Sequence, residues 1–514
     1  MALLYRFVKL SDRAHSHVFT FVVTKSVTRD LERDVTSKEF SCGHQKWAIT
    51  FSRTDKVLGV YLVWRSASES VRVYVDFTFT LLNREHFSVN EAFSGKQVKF
   101  TTECPAQGNR NYIPVADLYS RNFTDPNGEF QLELSMGHVR TLFDSEFRVG
   151  SSIFGTYHIP YPLRHHTSHH HKPGASNKLE TTYFSFGGFD WNLALYPYGI
   201  KDGHAGDRVS LYLNRYTGFD HQCRVRYSIV LGDGDRRVDS GIVDDVSDSD
   251  GKSYGWHPTA KFSDLIYKGV IRVHVEMLLA NTLSDVISSI TPDAGSQPAP
   301  LATTLSVSQC YDRDKQAWVI KSDCHSDSVR LHMVYKDIHN VPRNHLRYVC
   351  WTAYLLRYHS KNGHVEPVRL PGAPFSHYYA QEVSDEGIII ETDISIKELR
   401  EPGCPYLTAK GQLRVQVEWA DSYLLFQATY HKYDDVTRLH CQQMRREITA
   451  LQAENYSLER QLFSYQKSIA YAHSARGPGY GDDGTPDGDP RDDGSFFEDR
   501  HLLDRSLSTD TEYA

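Results

Sequence analysis

Three segments of this chain share one order of landmarks, and that repetition limits the fold more than any other feature. Each opens on a tryptophan that begins a strand: CGHQKWAITFSR around Trp47, GGFDWNLALYP around Trp191 and RDKQAWVIKSD around Trp318. After each tryptophan the apolar residues alternate, as Trp47, Ile49, Phe51, as Trp191, Leu193, Leu195, and as Trp318, Ile320. Period two marks a strand buried on one face. A second strand follows in each copy: VLGVYLVW with Tyr61, RVSLYLNRY with Tyr212 and SVRLHMVY with His332. A third reads VDFTFTLLN (75–83), CRVRYSIVL (223–231) and VCWTAYLLR (349–357). The fourth reads EFQLELSM to Met136, VIRVHVEM to Met277 and QLRVQVEW to Trp419, each soon after a glycine (Gly128, Gly269, Gly411). Short strands separated by Gly, Asn, Asp and Pro predict antiparallel β-sandwiches.

The landmarks define boundaries. Sandwiches are expected over residues 1–150, 178–287 and 305–433 of the 514. A His-rich linker (151–177) and a linker rich in Pro, Ser and Ala (288–304) join them. Neither linker shows periodicity, so both read as flexible or extended connections.

After Tyr433 the period changes. A heptad frame from Cys441 puts Cys441, Ile448, Asn455, Leu462 and Ile469 at position a, and Met444, Leu451, Leu458 and Tyr465 at position d. Residues 434–472 contain no Gly or Pro and predict an α-helical coiled coil. Isoleucine at a with leucine at d favours two parallel strands. An asparagine at a is tolerated best opposite its twin, so the expectation is a homodimer. Residues 473–514 are rich in Gly, Pro and Asp and predict a disordered acidic tail. Within it, Phe496, Phe497, Leu502, Leu503 and Leu507 form a small apolar island.

Aromatic content fits strands: 31 Tyr, 25 Phe and 7 Trp pack well on pleated surfaces. The net charge of −7 argues against a broad nucleic-acid footprint. No apolar run is long enough to span a bilayer, so no membrane association is expected. The N-terminus carries Arg6, Lys9, Asp12 and Arg13 where a signal peptide would be apolar. Eight scattered cysteines form no C-x-x-C pair, which suits reduced thiols and a cytoplasmic location, with the nucleus as the alternative.

The catalytic motifs sought are absent: there is no H-E-x-x-H, no G-x-S-x-G and no P-loop. No cofactor and no metal are expected. The cluster His165, His166, His169, His170 and His171 sits in a linker with nothing to fix its geometry. The segment DDVSDSDG (244–251) fails as a calcium loop, because Val246 and His257 fall on ligand positions.

A glycine four residues before the tryptophan, then x-L-Y-L, then F-x-F-x-L-L-N and a late alternating strand resembles the MATH domain, the meprin and TRAF homology fold. The first copy carries this as Gly43, Trp47, Tyr61, Phe77, Phe79 and Asn83, and the second as Gly187, Trp191 and Tyr212. The third departs, with Asp314 in place of the glycine and His332 in place of the tyrosine. The resemblance covers roughly residues 5–430. It implies TRAF-like sandwiches that hold extended peptides in a shallow groove. Carried over residue by residue, the groove would use Tyr61 and Phe77 in the first copy, Tyr212 and Trp256 in the second, and His332 and Trp351 in the third. Trp47, Trp191 and Trp318 are expected in the cores. The function implied is a non-enzymatic adaptor that binds peptide segments of partner proteins and pairs through its coil. In the trimeric TRAF adaptors the coil precedes the sandwich; here it follows, so their trimer is not assumed. A purely structural assembly protein and an enzyme with an unrecognised site are the alternatives.

Overall fold

The computed structural model describes residues 2–10, 16–29, 34–54, 56–149, 178–197, 208–216, 222–247, 253–289, 308–312, 314–323, 327–359, 365–381, 387–401, 403–426 and 430–475. The chain is mainly β. The region of the first copy holds β1 (Ala2–Leu10), β2 (Ser16–Val23), β3 (Val35–Thr36), β4 (Phe40–Cys42), β5 (Gln45–Thr54), β6 (Val57–Trp64), β7 (Val71–Leu81), β8 (Glu91–Phe100), β9 (Ala106–Pro114) and β10 (Phe130–Arg148). The second holds β11 (Leu179–Glu180), β12 (Phe184–Phe186), β13 (Phe189–Tyr196), β14 (Ser210–Tyr216), β15 (Gln222–Leu231), β16 (Val238–Val246), β17 (Ser253–Trp256) and β18 (Val270–Ser289). The third holds β19 (Ser308–Tyr311), β20 (Ala317–Asp323), β21 (Ser328–Tyr335), β22 (His345–Tyr358), β23 (Val365–Arg369), β24 (Phe375–Tyr379), β25 (Ile388–Ser395) and β26 (Gln412–Phe426).

Every pairing between these strands is antiparallel, and they form four sheets. Three small sheets run β3-β5-β6-β9, β11-β13-β14-β17 and β19-β20-β21-β25. The fourth has twelve strands and passes through all three regions. Each small sheet buries one face against part of the large one. Trp47 meets Phe100 edge-on at 5.1 Å, Phe51 meets Phe130 at 6.3 Å, and Trp318 lies 5.1 Å from Trp419. Trp47, Trp191 and Trp318 are fully buried. The burial of β7 alternates strictly, which is what its sequence VRVYVDFTFTL encodes.

The first two regions repeat hydrogen bond by hydrogen bond. Trp47 Nε1 donates to Cys42 O at 3.0 Å, and Trp191 Nε1 to Phe186 O at 2.9 Å. The amide of Ile49 donates to Ser37 Oγ and that of Leu193 to Thr181 Oγ1, both at 3.0 Å. The turn before each tryptophan needs positive φ at Gly43 (57°) and Gly187 (66°). A Cβ at these positions would also collide with Val139 or Ala280, so glycine is required twice over.

The late alternating strands are longer than their sequences predict. They do not end at Met136, Met277 and Trp419 but continue to Arg148, Ser289 and Phe426. A β-bulge interrupts each at the predicted end: between Gly137 and Arg140, between Met277 and Leu279, and between Trp419 and Asp421. The extra residue reverses the facing of all that follow, so the period-two pattern breaks there. Pairing also changes hands at the bulge. Residues 130–136 of β10 pair with β2, while residues 141–148 pair with residues 270–277 of β18. Residues 282–289 of β18 in turn pair with residues 412–419 of β26. The back half of one late strand is thus the neighbour of the front half of the next. β2 fills this place for the first region: Phe19 stands 4.8 Å from Phe40, as Phe143 stands 4.2 Å from Phe184.

The chain divides into a compact unit, Met1–Met444, and a second unit beginning at Arg445. One helix, Tyr430–Ala475, contributes to both and overruns the heptad limits by four residues at its start and three at its end. Within the first unit it is tied to the turn after β7. His440 Nε2 meets Asn83 O at 2.6 Å, and Gln443 Nε2 donates to Glu85 O at 2.8 Å. The His-rich linker, most of the second linker and the acidic tail from residue 476 onward lie outside the described residues.

Candidate functional site

The outer faces of the small sheets carry the positions singled out by the x-L-Y-L strands. In β6 the odd residues face away from the core that Leu58, Val60, Leu62 and Trp64 fill. Tyr61 is therefore half-buried on the outer face, between Thr50 of β5 and Gly108 of β9. Tyr212 of β14 holds the same place, between Ala194 of β13 and Gly255 of β17. Its ring lies across Gly255, where an added Cβ would come within 2.8 Å of Cε1. In both regions a tyrosine thus rests beside a glycine on the strand next to it. A flat ring over bare backbone leaves a shallow surface that an extended chain can follow.

Around Tyr212 the geometry is richer. Tyr196 and His257 meet its ring edge-on at 5.5 and 5.7 Å, and His257 Nδ1 is 2.9 Å from Ser210 Oγ. The sequence reading missed Tyr196 and His257. Tyr196 had a signal: it lies an odd number of positions after Trp191, hence on the opposite face. His257 joins through the register of β14 with β17, which no local pattern reveals.

His332 of β21 is half-buried, opposite Lys321 and the exposed Ile389. Trp256 closes β17 opposite Leu211, half-buried and packed against the core.

Phe77 and Trp351 correct the expectation. Both belong to the twelve-stranded sheet and point inward. Phe77 packs with Phe79, Phe93 and Phe100 at 5.5–6.3 Å. Trp351 is fully buried, 6.5 Å from Trp318 and 6.4 Å from Trp419. Tyr61 and Phe77 thus lie on different sheets and form no common surface, and the same separates His332 from Trp351.

The helix presents the heptad residues to solvent. Met444, Ile448, Leu451, Leu458, Leu462, Tyr465 and Ile469 are between 41% and 67% exposed, and Cys441 and Asn455 are exposed beside them. Tyr456, Phe463 and Tyr471 are exposed outside the a and d positions. Among the described residues no group of three His, Cys, Asp or Glu is arranged to hold a metal ion, and no helix is long and apolar enough to cross a membrane.

No family model matches the chain, and no curated protein matches it. Among solved structures the chain is similar to the crystal structure of AerE from Microcystis aeruginosa, at 7% identity over 49% of this chain and 96% of that one. The TM-score is 0.10, a likeness that carries no argument.

Proposed function

We propose that this protein is a non-enzymatic adaptor that binds extended peptide segments of partner proteins on the outer faces of its small sheets and self-associates through its C-terminal helix. The three small sheets, each packed on its own part of the large one, are read as three tandem copies of one MATH-like sandwich. The repeated hydrogen bonds around Trp47 and Trp191, and the bulge shared by all three late strands, support that reading. The observation that carries the function is the matched placement of Tyr61 and Tyr212, each half-buried on the outer face beside a glycine of the neighbouring strand. His332 holds the third position, with a polar ring in place of the phenol. Comparing the proteins retained by wild type and by the Tyr61→Ala/Tyr212→Ala variant tests the site. Partners should be lost in the variant; identical partner sets would remove the sheet-face assignment.

Self-association rests on the exposed stripe from Cys441 to Ile469. Burying such a seam against a second copy is the usual reason for keeping seven apolar residues in water on one helix. Light scattering should give a dimer mass for the full chain and a monomer mass once residues 445–514 are removed. Two joined chains would bind a divalent partner more tightly by roughly 10²–10⁴ through effective concentration. The cytoplasm is the compartment this reading expects.

One observation favours a structural role as the second reading: the large sheet is continuous across all three regions, as in a body built to hold its parts at fixed spacing. In that case the tyrosine variant keeps its partners, and removal of the helix alone displaces the protein in cells.

A further inference from the structure

The helix Tyr430–Ala475 carries two exposed apolar rows, and the proposed seam uses only one of them. Tyr456, Phe463 and Tyr471 belong to the other and are 63–65% exposed. At 3.6 residues per turn these three rings share an arc of about 80° with Arg460 and Lys467, on the side turned away from the a and d positions. Arg460 lies 5.8 Å from the centre of the Tyr456 ring, and Lys467 5.8 Å from that of Tyr471. From residue 442 to 471 the outward heptad positions b, c and f hold Arg446, Arg460 and Lys467 and no acid. Glu447, Glu454 and Glu459 all stand at e or g, beside the seam. The outer face is therefore aromatic and basic, and pairing through the seam leaves it in water.

A segment that matches this face lies in the same chain. Residues 476–514 hold eleven acidic side chains against four basic ones, which accounts for the whole net charge of −7. Composition divides the segment after Gly494. Residues 476–494 contain nine Gly and Pro, and residues 495–514 contain none. The second part opens on SFFE (495–498), the capping-box spacing with which helices start. Helical spacing puts its Phe496, Leu503 and Leu507 in one row about 40° wide, flanked by Asp499 and Asp504. The connection is also long enough. Nineteen residues of such composition span roughly 24 Å on average. The aromatic row lies about 6–29 Å back along the helix from Ala475. A tether matched to its span gives an effective concentration in the millimolar range.

We propose that this outer face is a docking surface and that its occupant is the chain's own C-terminal segment, residues 495–514. The segment folds as a short helix on docking. Phe496, Leu503 and Leu507 cover Tyr456, Phe463 and Tyr471, and the acidic flanks meet Arg460 and Lys467. Because the face is turned away from the seam, docking does not depend on whether the helix is paired.

Hydrogen exchange of the full chain, read by mass spectrometry, tests the docking. Amides of residues 496–507 should exchange about tenfold or more slowly than in a synthetic peptide of residues 495–514. Tyr456→Ala/Phe463→Ala places a strong helix former at both positions, so the helix should persist by circular dichroism while the segment returns to the peptide rate. Phe496→Ala/Leu503→Ala should do the same from the other side of the contact. Arg460→Gln/Lys467→Gln should lower the protection several-fold, as should high salt. Leu458→Ala/Leu462→Ala, on the seam, should leave the protection in place, which separates docking from self-association. Exchange at the peptide rate in wild type overturns the proposal. So does protection that survives Tyr456→Ala/Phe463→Ala or is lost only in the seam variant, which would seat the segment elsewhere. Protection that falls on dilution would make a second chain's segment the occupant and overturns the assignment to the chain's own. An unprotected segment, together with a mass above the dimer that Tyr456→Ala/Phe463→Ala lowers, would give the face to a second copy of the helix and overturns it equally.

Discussion

At the scale of single residues, the third region shows what divergence costs. Where the first two regions satisfy the anchor tryptophan with a backbone carbonyl, Trp318 Nε1 donates to the carboxylate of Asp312 at 3.0 Å. The same side chain accepts the amides of Asp314 and Gln316, both at 2.9 Å. Asp312 is almost wholly buried. Burial first, and the neighbouring Asp314 second, push its acid up to about 6 despite those three donors. The folded protein then holds this proton more tightly than the unfolded chain. The group's contribution to stability is complete below about pH 4 and is lost as pH rises through about 6. A shift of this size corresponds to about 3 kcal/mol. Urea unfolding of wild type and Asp312→Asn, compared at pH 4 and pH 7, should show the wild-type advantage shrinking towards neutrality. An equal difference at both pH values would mean that Asp312 does not titrate there.

At the scale of elements, the joints between late strands are locked by glutamates at corresponding positions, with unequal consequences. Glu276 forms a bidentate pair with Arg140 at 2.7 and 3.2 Å, but the arginine is half exposed. Glu418 is buried and accepts from Asn281 at 2.6 Å, Tyr354 at 3.0 Å and Arg224 at 3.2 Å. Glu276→Ala should cost up to about 1 kcal/mol, as exposed pairs do. Glu418→Ala takes the acceptor from Asn281 and Tyr354, while Arg224 keeps its two bonds to Asp244, and should cost about 2–3 kcal/mol. Denaturant midpoints measure both; equal losses would mean that water reaches the second joint as freely as the first. These locks could not be read in the sequence, since they join residues 64 to 194 positions apart on different strands. What could be read is the part of each strand that keeps phase: the tryptophans, the core face of β7 and the helix. The error over Phe77 has a local cause. Val71, Val73, Val75, Phe79 and Leu81 share its parity, and that wholly apolar row marks the core face more reliably than a motif match does. Tyr61 shares its parity with Gly59 and Val63, the thinner row, and lies outside.

At the scale of the whole compact unit, the shared strands change what a domain means here. Sequence boundaries suggest separable sandwiches on flexible linkers. Yet residues 141–148, from the first region, provide the strand beside residues 270–277 of the second, and residues 282–289 do the same for the third. Cut at residue 178, the second region loses an eight-pair ladder and exposes the edge of β18, an open template for aggregation. A fragment of residues 178–289 should therefore be poorly folded or self-associated, with little dispersion in its amide NMR spectrum. A fragment of residues 130–289, which restores β10, should recover dispersed signals. Residues 1–444 should unfold in one transition, because each region borrows an edge from another. If residues 178–289 fold alone with the stability they have in the full chain, the handover is an ornament of packing. If they do not, the Tyr61 and Tyr212 faces are held at fixed spacing by continuous strands. Two-site binding would then be governed by that spacing rather than by the reach of a linker.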